Sequence, residues 1–251
     1  MPDLSISIVS HRQIRLVELL LTDIRQNCSS VSIEVILTVN VDEPFFLGTN
    51  DYAFPIRIIC NTVPKGFGEN HNAAFQLATG NYFCVLNPDI RFSSDPFPAL
   101  IAQTGEANVG VVAPHVTNRE GIREDSARQF PSPFEIVRKV FGGESVMHTD
   151  ISHPISNPDW VAGMFMLFPR RIFQEIGGFD ERFFLYYEDV DLCARLTLAG
   201  YRIVLCSDVL VVHDARRSSH KNLRFMRLHL ASMLRFFSSS VYRKLRRRGE
   251  N

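Results

Sequence analysis

The first half of the chain alternates short apolar runs with helix-spaced segments. LSISIV (4–9) is a short β-rich run. Residues 12–27 follow with Leu16, Leu19, Leu20 and Ile24 spaced for one helical face, and Ser10 is placed to cap them. IEVILTV (33–39) and IRII (56–59) predict a second and a third strand. GENHNAAFQLATG (68–80) predicts a helix ending at Gly80, and YFCVL (82–86) a strand that stops abruptly at Asn87-Pro88-Asp89. This βαβα order predicts an α/β fold: a mostly parallel central sheet flanked by helices.

The second half changes character. Residues 114–158 are rich in Pro, Ser, His and charge and weak in periodicity, which predicts a long variable loop region, 115–158. Regularity returns at WVAGMFMLF (160–168), then a helix near 170–176, then Gly177-Gly178. A helix over 188–199 ends at Gly200, and YRIVLC and VLVVH complete the sheet. The last 36 residues, 216–251, read as a helical appendage with Leu223, Met226, Leu230, Met233, Leu234 and Phe237 on one face. The simplest division is one domain over 1–215 and a C-terminal tail.

Composition adds limits. The chain has 251 residues, 45% hydrophobic and 22% charged, enough to bury a sizeable core. Its longest apolar stretch, VAGMFMLF, falls far short of the roughly 18 residues of a membrane span. The start, MPDLSISIV, lacks the pattern of a secretory signal. Five scattered cysteines without a C-x-x-C pair predict free thiols and no zinc site, and a cytoplasmic location. The net charge is zero but unevenly placed. Residues 216–251 hold 11 of the 27 Lys and Arg with one acid, which leaves 16 basic and 26 acidic groups before them, a net charge of −10. A basic tail on an acidic body points to an anionic partner surface. The tail YRKLRRRGEN is short for nucleic acid, so no nucleic-acid partner is expected. Peripheral contact with the anionic inner face of the cell membrane and a merely solvated helix end both account for it.

In open sheets of this kind, ligands sit at the carboxyl ends of strands. That directs attention to Ser10 and His11, to Asn40 through Glu43 with Asp42 among them, to Asn61 through Gly68, and to Asn87 and Asp89. Asp89 at a Pro-stiffened strand end can offer a hard oxygen to a divalent cation, although Asn-Pro-Asp is also a common turn. Gly66 in PKGFGENHNAAF opens a helix start that can cradle an anion or simply form a tight loop. Asn72 on that helix needs a partner if buried. His213 at a strand end is followed by Asp214, Arg216 and Arg217, a grouping suited to a diphosphate and its metal. In YYEDVDLCARL (186–196), Asp191 and Arg195 pair at i,i+4 and Glu188 shares their stripe. Asp189 is turned about 100° away and has no local cationic partner, so it is either an exposed first-turn acid or a working one.

These pieces resemble the family 2 glycosyltransferases of GT-A (nucleotide-diphospho-sugar transferase) fold, bacterial rhamnosyltransferase-like branch. The residues that carry the resemblance are VLNPDI (85–90), KGFGENHNAAF (65–75), the run from Ala162 to Ile203, and VVH (211–213). The resemblance implies a nucleotide-diphosphate sugar donor (dTDP- or UDP-linked), a divalent cation (Mg²⁺ or Mn²⁺) and inversion at the anomeric carbon. It implies Asp89 and His213 at the metal, Asn87 in place of the first acid of the metal motif, and Asp189 as general base. Arg216 and Arg217 would stabilise the leaving diphosphate, and Gly163 would keep its strand thin beside the donor sugar or simply allow close packing. Ser10-His11-Arg12 and Asn40-Val41-Asp42-Glu43 depart from the family's base-binding patterns. The implied reaction moves L-rhamnose or another hexose or deoxyhexose to a glycan or lipid-linked acceptor of a bacterial surface polysaccharide (O-antigen, capsule or exopolysaccharide). A sugar-nucleotide nucleotidyltransferase and a non-catalytic binding or scaffold protein are the alternatives.

Overall fold

A computed structural model describes residues 2–44, 48, 52–133, 155–214 and 223–249. Its centre is a nine-stranded sheet. Strands β1 (Leu4–Ser10), β2 (Ile33–Val39), β3 (Ile56–Cys60) and β4 (Tyr82–Leu86) run parallel, joined by helices α1 (Ile14–Asn27) and α2 (Phe67–Leu77). After β4 come β5 (Ile90–Arg91), helix α3 (Phe97–Thr104) and strand β6 (Val109–Thr117). Short strands β7 (Ala127–Arg128), β8 (Ile155–Ser156) and β9 (Trp160–Val161) precede β10 (Phe165–Pro169). Helices α4 (Arg170–Glu175) and α5 (Glu188–Leu198) lead to β11 (Arg202–His213), and α6 (Leu223–Ser238) and α7 (Ser240–Gly249) follow. The sheet order is β3-β2-β1-β4-β10-β6-β11-β5, with β10 antiparallel to both its neighbours. The sheet is therefore mixed but mostly parallel, as expected.

The two-residue alternation of each strand fills both faces. Cys84 and Leu86 of β4 join Leu4, Ile6 and Ile8 of β1 beneath α1 and α3. Phe83 and Val85 point the other way, into a core with Ala74 and Phe75 of α2, Phe173 of α4 and Leu192 and Leu196 of α5. Ser5 and Ser7 of β1 also face this side and are fully buried. Their hydroxyls are satisfied there: Ser5 Oγ donates to Glu34 Oε1 at 2.7 Å, and Ser7 Oγ lies 2.7 Å from His71 Nδ1.

Several expectations change. Helix α3 and strand β6 occupy a stretch where no elements were expected. The region expected as loop begins later than Pro114, because β6 runs to Thr117, and its described parts contain β7 and β8; residues 134–154 lie outside the described residues. YRIVLC and VLVVH form one strand, β11, with a register break between Cys206 and Leu210. The tail also differs in orientation. Ser232 and Phe236 of α6 and Tyr242 of α7 are buried against Phe183, Tyr187, Val190 and Ala194, while Leu223, Met226, Leu230 and Leu234 face outward.

One buried contact bears directly on the site. Arg91 of β5 donates from Nε and Nη2 to the two carboxylate oxygens of Asp23 on α1, each at 2.6 Å. Asp23 sits on the buried face of α1, so this bidentate pair anchors β5 against the first helix. β5 in turn pairs with β11, Ile90 opposite His213, which brings the strand-end turn of 87–89 beside His213. Removing Asp23 leaves the Arg91 charge uncompensated. Asp23→Ala is expected to lower unfolding free energy by about 3 kcal/mol, measured from denaturant midpoints at unchanged slope.

Candidate active site

Two acidic centres lie at the carboxyl end of the sheet, and one dipeptide joins them. The first is built on the turn after β4. Asp89 Oδ2 lies 3.2 Å from His213 Nε2, and His213 Nδ1 lies 2.5 Å from Glu124 Oε2. The backbone N–H of Asp214 donates to the Asp89 carbonyl at 2.7 Å, fixing the turn against the end of β11. Burial alone would lower the His213 pKa, but its hydrogen bonds to Asp89 and Glu124 and their charges outweigh it and push it up to about 9. Asp89 Oδ1 is buried and has no hydrogen-bond partner. A buried carboxylate oxygen without a donor fits a hard divalent cation, and a cation on His213 Nε2 would have to displace the ring's proton. Among the described residues no three ligating side chains converge on one point, so a cation here would need oxygens from elsewhere. The Asn87 side chain makes no hydrogen bond among the described residues and is half-exposed at the same turn. Arg216 and Arg217 lie outside the described residues.

The second centre is Asp189, in the first turn of α5. Its Oδ2 accepts from the Gly163 N–H at 3.0 Å and its Oδ1 from the Val190 N–H at 2.8 Å. Burial raises its pKa, opposed by those two N–H donors and by the nearby Arg128 charge. It still keeps a partly exposed edge. A raised, partly exposed carboxylate held by two backbone donors is poised as a proton acceptor.

Gly163 and Met164 connect the centres. Gly163 N–H holds Asp189, and the Met164 carbonyl accepts from the Asn87 N–H at 2.9 Å. Gly163 is small because the Phe67 ring is there: a Cβ would come within 3.0 Å of its Cζ. Its lack of a side chain thus accommodates Phe67 and brings the backbone to Asp189, where room for a donor sugar was expected.

The remaining candidate residues divide by what they touch. Ser10, expected near the base and as a cap of α1, sits just before the helix: its Oγ accepts from the N–H of Gln13, the N-cap residue, and donates to Glu43 Oε1. Glu43 also accepts from the N–H groups of Arg12 and Ile14. Asn40 is buried and its amide is fully engaged. Its Oδ1 accepts from Asn61 Nδ2 at 2.9 Å and Lys65 N at 2.8 Å, and its Nδ2 donates to the Lys65 carbonyl and lies 3.3 Å from His11 Nδ1. It shapes the 61–66 loop and positions His11, and it has no free amide for a base. His11 and Asp42 are exposed at the ends of β1 and β2. Gly66 does not present a bare helix start to an anion. Phe67 N–H is taken by the Phe184 carbonyl, and a Cβ at Gly66 would meet that oxygen at 2.9 Å. Asn72 is likewise committed: it donates to the Phe179 carbonyl and to Glu181, and accepts from the Phe179 N–H. It clamps the Gly177-Gly178-Phe179 turn, where Gly178 adopts φ +66° with Asn72 Oδ1 in the space of a Cβ.

Five residues enter that sequence reasoning passed over or placed without their tertiary surroundings. Glu124 carries no local motif, and only the β6–β11 pairing brings it to His213. Arg128 reaches Asp189 because β7 pairs with β9. Glu188, expected in the stripe of Asp191 and Arg195, is 5% exposed with Oε2 unpartnered, and burial followed by the Asp189 charge drives its pKa well up. Tyr187 and its neighbour Tyr186 are both left-handed, at φ 66° and 69°. That conformation is uncommon for bulky side chains and sets the entry angle of α5. Both rings contact His229 of α6, and Tyr187 also packs on Phe236. Asp191 bonds Arg195 at 2.8 Å as its spacing predicts.

The glycosyltransferase like family 2 model matches residues 55–229. The chain belongs to this family. Rhamnosyltransferase WbbL of Escherichia coli (strain K12) is 29% identical over 188 residues, covering 69% of this chain and 70% of that protein. N-acetylglucosaminyl-diphospho-decaprenol L-rhamnosyltransferase of Mycobacterium tuberculosis (strain ATCC 25618 / H37Rv) is 30% identical over 165 residues, covering 62% of this chain and 54% of that one. Among solved structures, the mannosyltransferase PcManGT from Pyrobaculum calidifontis in complex with GDP-Man and Mn²⁺ aligns with a TM-score of 0.62 at 18% identity, covering 93% of this chain and 64% of that chain. S. aureus TarS 1-349 in complex with UDP-GlcNAc aligns at 0.66 and 12%, covering 95% and 67%. The family 2 chain thus has the GT-A fold and is a transferase, which sets the nucleotidyltransferase alternative aside.

Glu188 gives this family 2 member a testable pH signature. A buried acid with a raised folded pKa binds more protons folded than unfolded. Its contribution therefore holds at pH below the unfolded value and is lost as pH rises above it, towards the folded value. Glu188→Gln is expected to flatten this fall, read from urea midpoints measured between acid and neutral pH.

Proposed function

We propose that this chain transfers a deoxyhexose or hexose, L-rhamnose by preference, from a dTDP- or UDP-linked donor to a hydroxyl of a growing bacterial surface glycan. The acceptor we favour is lipid-linked, and the anomeric centre inverts. The observation that carries this reading is the Gly163–Met164 link, which fixes a raised, partly exposed carboxylate next to a cation-fitting Asp89–His213 pair. The rhamnosyltransferase names of both curated relatives support the sugar, and the decaprenol-linked substrate in the mycobacterial name supports the acceptor class.

The chemistry follows from need. A sugar hydroxyl is a poor nucleophile near neutral pH. Asp189 accepts its proton as the hydroxyl oxygen bonds to the anomeric carbon, and the bond from that carbon to the diphosphate oxygen breaks. One in-line displacement needs one base and no protein nucleophile. The N–H groups of Gly163 and Val190 aim the carboxylate, and Arg128 limits how far burial raises its pKa. A divalent cation held by Asp89 and His213, with Asn87 beside them, would neutralise charge on the leaving diphosphate. Glu124 orients the His213 ring so that Nε2 faces that position. His11 and Asp42 stand at the strand ends where the nucleoside base would lie.

Incubation with a panel of nucleotide sugars, Mn²⁺ or Mg²⁺ and glycan acceptors tests the reading through release of nucleoside diphosphate. Asp189→Asn is expected to lower turnover by roughly 10²–10⁴-fold. Turnover that persists in this variant contradicts the base assignment, and no donor turnover with any sugar favours a binding-only protein. For Glu124→Gln, the expected change is a weaker Mn²⁺ affinity by about 10–100-fold, read by calorimetry or electron paramagnetic resonance with the fold intact.

A further inference from the structure

We infer that the outer face of α6 is a docking surface for an anionic lipid bilayer. Leu223, Met226, Leu230 and Leu234 are 70%, 62%, 50% and 59% exposed. Their spacing of three and four residues lines them along one side of the helix. The opposite side is fixed to the protein: Ser232 Oγ donates to the Leu185 carbonyl at 2.8 Å, and Phe236 is fully buried against Tyr187. The helix cannot roll to hide the stripe without losing those contacts, so among the described residues nothing covers these four large apolar side chains.

Charge identifies the occupant. Residues 223–249 carry Arg224, Arg227, Arg235, Arg243, Lys244, Arg246, Arg247 and Arg248 and no acidic residue. Arg227 lies four residues after Leu223 and three before Leu230, on the flank of the stripe, where its stem can lie along the apolar surface while its guanidinium reaches a phosphate. An apolar stripe with a basic flank suits a helix lying in the headgroup region of an anionic membrane. A second copy seated on the same stripe would set these cations against their own counterparts, which costs energy. No helix among the described residues is long and apolar enough to cross a membrane, so the contact is in the plane of the surface. Docking there places the Tyr186–Tyr187 turn, and Asp189 after it, just behind the membrane-facing helix. A lipid-linked acceptor would arrive on that side, but the docking itself does not depend on the donor or the acceptor.

Sedimentation with phosphatidylcholine vesicles and with vesicles containing phosphatidylglycerol tests this on the full chain. Binding is expected to the anionic vesicles, weakening as salt is raised. The Met226→Glu/Leu230→Glu variant is expected to bind roughly tenfold or more weakly with an unchanged thermal melt. Leu230→Trp should show a blue-shifted emission on adding anionic vesicles. Absence of wild-type binding overturns the inference. So does binding undiminished in the double variant, which would place it on the α7 cations, and so does a dimer in sedimentation equilibrium that the double variant abolishes. If the double variant fails to fold, Leu230→Trp decides: a shift supports the surface, and vesicle binding without one overturns it. Nucleotide-donor binding by the same variants is independent of every outcome, so failure here is distinct from failure of the proposed reaction.

Discussion

Two backbone hydrogen bonds from adjacent residues hold the site together. Gly163 donates its N–H to Asp189, and Met164 offers its carbonyl to Asn87. These residues precede β10, the one strand that runs antiparallel between β4 and β6. Inserting a reversed strand at the centre of a mostly parallel sheet brings its entry end to the carboxyl end of β4. The metal-fitting turn after β4 and the carboxylate at the start of α5 are thereby set in one frame. Neither centre can move without disturbing the same dipeptide. The Phe67 edge closes the space over Gly163, so a side chain there would press on that ring.

The outer supports serve the same frame from opposite sides. On one side, Asp23 and Arg91 anchor β5, and β5 pairs with the end of β11 that carries His213. On the other, α6 and α7 cover the left-handed Tyr186–Tyr187 turn that aims α5. Holding two bulky residues at positive φ costs of order 1–3 kcal/mol each, so this turn persists only because packing over-determines it. The C-terminal helices are therefore part of what positions Asp189. An apolar stripe on their outer face then has a physical place as well as a composition.

The sequence made the architecture legible where patterning was strong. The strands through residue 86, α2, α5 and the Asp191–Arg195 pair follow from period, turn residues and spacing. Asp89, His213 and Asp189 were singled out because strand ends and an unexplained helix-start acid are visible in one dimension. Glu124 and Arg128 were not, because only cross-strand pairing brings them to His213 and Asp189, and no local pattern marks them. Gly66 and Asn72 have residue types that suit ligand contact, and the structure adds backbone partners from distant segments, Phe184 and Phe179, while Ser10 bonds the N–H just before α1, close to the role its position predicts. Glu188 shares its stripe with Asp191, and tertiary packing buries both acids, which helical spacing alone does not reveal. The α6 face shows the limit of apolar periodicity, which finds a stripe but not whether protein or something else covers it.

The proposed reaction divides labour: Asp89 and His213 would serve the leaving diphosphate, and Asp189 only the acceptor proton. Calorimetric titration of nucleoside diphosphate with Mn²⁺ into wild type, Asp89→Asn and Asp189→Asn separates these roles. Much weaker binding by Asp89→Asn and wild-type affinity for Asp189→Asn are expected. Equal loss in both variants, or undiminished binding by Asp89→Asn, would contradict that division.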